Sequence, residues 1–110
     1  DGNRQSASLY DMIPAKPQNA NPYGEWNKAK IIVQNGKVTH IQNNVEVLTY
    51  QMWTPEWTEM LQNSKFSEEK WPAAFKLLNK CGGKNHEGLI GFQDHGNDVW
   101  YRNVRVKVLP

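Results

Sequence analysis

The sequence predicts a mainly β protein, an antiparallel sandwich with one or two short helices inserted. Three observations carry this. Alternating apolar and polar residues recur at period two near the start, at Ala29–Tyr50, and again at the end, Val99–Leu109. Asn35-Gly36 stands between two of these runs and reads as a two-residue hairpin turn. Between the two β-like regions, Trp57, Met60 and Leu61 share one face at helical spacing.

Taken in order, residues 1–6 read as loop and Ser8–Ile13 as a short apolar strand. Pro14, Pro17, Asn19, Asn21, Pro22 and Gly24 then make a long connector with turn chemistry, ending at Trp26. Ala29–Gln34 holds Ile31, Ile32 and Val33, and Lys37–Gln42 is its return strand. Asn43-Asn44 is a second turn, because asparagine tolerates positive φ. Val45–Tyr50 follows, with Val45, Val47 and Thr49 on one face and Glu46, Leu48 and Tyr50 on the other. Three strands joined by tight turns predict a meander.

Thr54 can cap a helix whose first turn holds Pro55. Ser67 is a second cap candidate, and Phe75 and Leu78 predict another short helix after Pro72. Cys81–Asn85 is loop. Gly88–Gln93 and Val99–Leu109 return to strand, with Val104, Val106 and Val108 on one side and Arg105 and Lys107 on the other. The total is about six strands, fewer than a closed jelly roll needs, so the expected sandwich is incomplete. The chain opens on the polar stretch Asp1-Gly2-Asn3-Arg4 without an initiating methionine, as a processed chain or proteolytic fragment would.

Composition narrows the function. The 110 residues suit a single domain or part of one. Thirteen basic and 11 acidic residues leave a net charge of +2, with no basic stripe, which argues against nucleic acid. No apolar run reaches the ~20 residues of a membrane span. The one cysteine, Cys81, rules out an internal disulfide and reads as a loop residue. His86, Asp94, His95 and Asp98 match no metal-ligand spacing, and no cofactor motif is present.

Gln93-Asp94-His95-Gly96 is the most chemically loaded stretch. Strand alternation would put Gln93 and His95 on the side of Leu89. A histidine at a strand end can move protons near neutral pH, or simply hydrogen-bond a loop carbonyl. Arg102 shares a face with Trp100, Val104 and Val106, where an arginine calls for a carboxylate or a ligand. Five tryptophans suit sugar-ring stacking. Trp57 and Trp71 lie in helical patterns and read as core; Trp26, Trp53 and Trp100 are the better cleft candidates.

Gly88-Leu89-Ile90-Gly91-Phe92-Gln93-Asp94-His95-Gly96, followed by Val99-Trp100-Tyr101-Arg102-Asn103-Val104-Arg105-Val106, resembles the closing segment of the 3-keto-disaccharide hydrolase family. Gly24-Glu25-Trp26-Asn27 and Ser8-Leu9-Tyr10-Asp11 resemble its upstream segments. Asn43-Asn44-Val45 stands where the family usually has asparagine-glycine-valine. The resemblance runs in order from about Asp1 to Leu109. It implies that residues 1–110 are the C-terminal part of a concanavalin A-like jelly roll of the lectin and glucanase type, roughly twice this length, in a periplasmic or extracellular bacterial protein. It implies cleavage of 3-keto-glycosides by base-assisted elimination and hydration, with no cofactor. His95 would be the catalytic residue, and Gln93, Asp94, Arg102, Tyr10, Asp11 and Trp100 would bind substrate. The family's first-half cleft residues have no counterpart here. The implied partners are a carbohydrate substrate and the missing N-terminal half, or a second copy of the chain. A non-catalytic carbohydrate-binding module on the same scaffold is the alternative.

Overall fold

The computed structural model describes residues 2–110; Asp1 lies outside the described residues. Its centre is an antiparallel meander of β1 (Ala29–Gln34), β2 (Lys37–Gln42) and β3 (Val45–Gln51), in the order β1-β2-β3. Two short helices follow, α1 (Pro55–Gln62) and α2 (Pro72–Asn79). The chain is thus mainly antiparallel β with two inserted helices, the fold class its sequence predicts.

The turn residues set the register. Asn35 and Gly36 have φ of 51° and 77°, and Asn43 and Asn44 have φ of 50° and 67°. Both turns therefore take the doubly left-handed form that matches strand twist. A Cβ on Gly36 would lie 2.8 Å from Trp53 Cε3, so this position needs glycine for space as well as for conformation. Ala29 faces Gln42 across the first pair, and Gln42 faces Val45 across the second.

One expectation about β3 is corrected. Strict alternation would separate Val47 from Leu48, yet both are buried. The register slips between His40 and Ile41: His40 faces Leu48, and Ile41 faces Glu46. Val47 is the extra residue of a bulge. Its carbonyl accepts from Lys16 N at 2.8 Å. The bulge turns two consecutive apolar side chains inward against Ala15.

The core has two joined parts. Ala15, Val47 and Leu48 form one, and Trp57, Leu61 and Phe75 form the other; Leu9 and Tyr50 pack against both. Helix α1 begins as predicted: Thr54 is extended, and its hydroxyl accepts from Trp57 N at 3.2 Å. Helix α2 starts without a side-chain cap, at Trp71. Ser67 instead forms a turn, its hydroxyl accepting from Lys70 N. Trp71, expected in the core, is 51% exposed and leans on Phe66, because it precedes the helix rather than lying on its buried face.

Two strand expectations also change. Ser8–Ile13 is mostly turns, with only Leu9 and Ile13 bridged, because Ala7 and Asp11 have φ of 66° and 58° and break the extended run. Residues 88–110 form no strand. A strand exists only through a neighbour's backbone hydrogen bonds, and nothing among the described residues supplies them to this arm. The count is therefore three strands rather than about six. Val104, Val106 and Val108 are left exposed, as are Ile31, Ile32 and Val33 of β1.

Candidate functional site

An asparagine network ties the connector to the β2–β3 turn and so places Trp26. Asn43 Nδ2 donates to Asn19 O and Asn27 Oδ1, each at 2.9 Å, and Asn43 Oδ1 accepts from Lys28 N. Asn21 Nδ2 donates to Trp26 O at 2.8 Å. Gln42, 2% exposed, anchors the network's inner end through Ser6 Oγ at 2.5 Å and Asn19 Oδ1 at 3.0 Å. A polar side chain so deeply buried is tolerated only when its hydrogen bonds are made.

Trp26 then meets the C-terminal arm. The Arg102 guanidinium carbon sits 4.0 Å from the centroid of the Trp26 ring. This answers the demand that Arg102 posed in the sequence. It is exposed and stacked on an aromatic face, and no carboxylate pairs with it among the described residues. Its in-plane N–H donors are not used by the stacking.

The loop that carries His95 closes on itself. Tyr101 OH donates to Gln93 O at 2.7 Å, and Phe92 packs 4.7 Å from the Tyr101 ring. Asp94 Oδ1 accepts from Gly96 N at 3.2 Å, in a tight Asx-type turn around His95. His95 and Trp100 are exposed, Trp100 at 70%.

Tyr10 and Asp11 belong to a separate group. Arg4 Nε donates to Asp11 Oδ1 at 2.6 Å, and Lys65 Nζ lies 2.5 Å from Oδ2 as a charge contact. Lys65 Nζ also stands 4.6 Å from the Tyr10 ring centroid. The Lys65 and Arg4 cations hold the Asp11 carboxyl below the usual carboxylate range. No hydrogen bond, ion pair or ring contact links this group to Gln93, His95 or Arg102 among the described residues. Arg4 and Lys65 escaped the sequence reading, since nothing in a linear pattern joins positions so far apart.

A depressed acid stabilises above its unfolded-state pKa and loses that contribution as pH falls through the folded one. Asp11→Asn should therefore loosen the 2–13 segment at pH 7 and change little at pH 2. Amide hydrogen exchange of Met12 and Ile13 at the two pH values checks this; equal protection in both proteins at pH 7 would reject it.

His40 was also unflagged. Its Nδ1 lies 2.8 Å from Ala7 O, which can only accept, so Nδ1 carries the proton and Nε2 faces Tyr50 OH at 3.3 Å. Burial pushes the Tyr50 phenol up to about 12. This pair clamps the N-terminal turns onto the sheet.

The profile of the 3-keto-alpha-glucoside-1,2-lyase-like domain matches residues 1–107. The chain belongs to that family. It is 71% identical over 109 residues to the 3-keto-disaccharide hydrolase of Bacteroides thetaiotaomicron, covering 99% of this chain and 38% of that protein. It also resembles a solved structure of a candidate glycosyl hydrolase from Parabacteroides distasonis ATCC 8503, with a TM-score of 0.56 and 23% identity. That likeness covers 60% of this chain and 30% of the other, and it bears on fold alone. The chain thus spans well under half the length of the curated relative it matches. Among the described residues no His, Cys, Asp or Glu cluster could hold a metal, and no helix is long and apolar enough to cross a membrane.

Proposed function

We propose that the protein carrying this chain cleaves 3-keto-glycosides by elimination followed by hydration. The 71% identity to a 3-keto-disaccharide hydrolase carries the proposal. A ketone at C3 acidifies the C2–H bond. His95 takes that proton, and the electron pair delocalises onto the C3 oxygen as an enolate. The enolate then expels the aglycone from C1, which leaves as an alcohol once protonated. Water adds across the resulting C1–C2 double bond, its oxygen at C1 and a proton at C2. Net hydrolysis follows with no redox change.

Such chemistry needs a base and a stabiliser of enolate charge, not the carboxylate pair of ordinary glycosidases. Arg102 is a permanent cation with N–H donors to spare above Trp26. Gln93, Asp94 and Trp100 frame His95 and complete substrate binding. Tyr10 and Asp11, which stand with Arg4 and Lys65, add further substrate contacts.

The exposed faces of β1 and of residues 88–110 call for further strands. We assign these to the remainder of the longer protein, or to a second copy of the chain, in a periplasmic or extracellular setting. The test follows the C2 proton. Turnover of a 3-keto-glucoside in heavy water should place deuterium at C2 of the product. Hydrolysis without deuterium at C2 would sink elimination. Saturable sugar binding with no turnover would favour the binding-module reading, which the exposed Trp26, Trp71 and Trp100 support.

A further inference from the structure

Away from the His95 loop, a depression of about 660 Å³ opens between the start of α1 and the loop after α2. Trp53, Thr58, Asn79, Lys80, Lys84 and His86 are among its lining residues, and no carboxylate lines it. Both ion pairs among the described residues converge on Asp11, so neither Lys80 nor Lys84 has an acidic partner.

The floor is held in an unfavourable conformation. Trp53 and His86 have φ of 63° and 54°, in the left-handed region that bulky residues avoid. Their rings stack at 3.6 Å, within 12° of parallel. Trp53 Nε1 donates to Cys81 O at 2.9 Å. A Cβ on Gly82 would come within 2.8 Å of His86 Cα, so only glycine lets the loop fold back this far. On the wall, the Thr58 hydroxyl donates to Asn79 Oδ1 at 2.5 Å. This orients the Asn79 amide and leaves its Nδ2 donors without a partner among the described residues.

We infer that this depression is a second carbohydrate subsite, one selective for a sugar residue bearing a negative charge. The outer face of the exposed His86 ring, backed by Trp53, offers an apolar surface to a pyranose ring. Asn79 Nδ2 supplies a hydrogen bond to a ring hydroxyl. Lys80 and Lys84, unpaired, supply the cations a carboxylate seeks. The inference does not depend on the elimination chemistry, since none of these residues belongs to the His95 loop.

Calorimetric titration of the purified protein with glucuronate, glucose and inorganic phosphate tests it. Glucuronate should bind roughly tenfold more tightly than glucose, the scale of two partly exposed charge contacts. Raising the salt from about 50 to about 500 mM should erase most of that difference. Lys84→Glu should abolish the preference while leaving turnover of an uncharged 3-keto-glucoside unchanged. His86→Asn, which keeps a residue tolerant of positive φ but removes the stacked ring, should weaken both sugars. Indistinguishable binding of glucuronate and glucose, or no binding of either, would overturn the proposal. Phosphate binding as tight as glucuronate would do so too, by showing attraction of anions without recognition of the sugar.

Discussion

Replacement of His95 by alanine should lower turnover of a 3-keto-glucoside by about a hundredfold or more, the usual size of a lost acid–base group. The loss should fall on kcat, because the imidazole is asked to move a proton and not to hold the ground state. The fold should be indifferent, since the side chain is exposed and makes no hydrogen bond among the described residues. Asp94, Gly96 and the Tyr101–Gln93 hydrogen bond would keep the loop closed without it. Steady-state kinetics on wild type and variant, with circular dichroism as the control for folding, measure the effect. Turnover within about threefold of wild type would move the base to another residue.

The largest loss of stability is expected from Trp57→Ala, about 3–5 kcal/mol as for other buried aromatics. Trp57 is 3% exposed and packs with Leu61 and Phe75. Its ring stacks on Tyr50 at 5.5 Å, within 13° of parallel, which joins the helical part of the core to the sheet. Its Nε1 donates to Leu78 O at 2.9 Å, bracing α1 against α2. Alanine would open a cavity, strip Tyr50 of its partner and leave that carbonyl without its donor. Trp57→Phe should retain most of the packing and lose the hydrogen bond, costing on the order of 1 kcal/mol for that bond beyond any repacking. Chemical denaturation separates the two variants. A cost below about 1 kcal/mol for Trp57→Ala would mean that the two core parts do not fold as one.

The meander, its turns and the cap of α1 could be read directly, because each rests on neighbours in the chain. Asn35-Gly36 forces a particular turn, the turn sets the register, and Thr54 reaches a backbone N–H three residues ahead. The helical spacing of Trp57 and Leu61 likewise announced a buried face. Trp71 misled for a related reason: periodicity marks a stripe but not where the helix begins, and Pro72 starts it one residue later.

Alternation alone could not decide whether a segment becomes a strand. Val99–Leu109 has a strand's side-chain pattern, but its backbone hydrogen bonds must come from another strand, and none of the described residues provides one. The bulge at Val47 was equally hidden, because inserting one unpaired residue leaves the local pattern intact and changes only which faces turn inward.

The sequence by itself determined the family and the local turns and caps, since these depend on residue type and short spacing. Only the tertiary structure decided which charges meet. It placed Arg102 on Trp26, gave Asp11 to Arg4 and Lys65, and brought Trp53 and His86 face to face. Ion pairs and ring stacks act across a few ångströms of space between residues tens of positions apart, and a linear pattern holds no record of that distance.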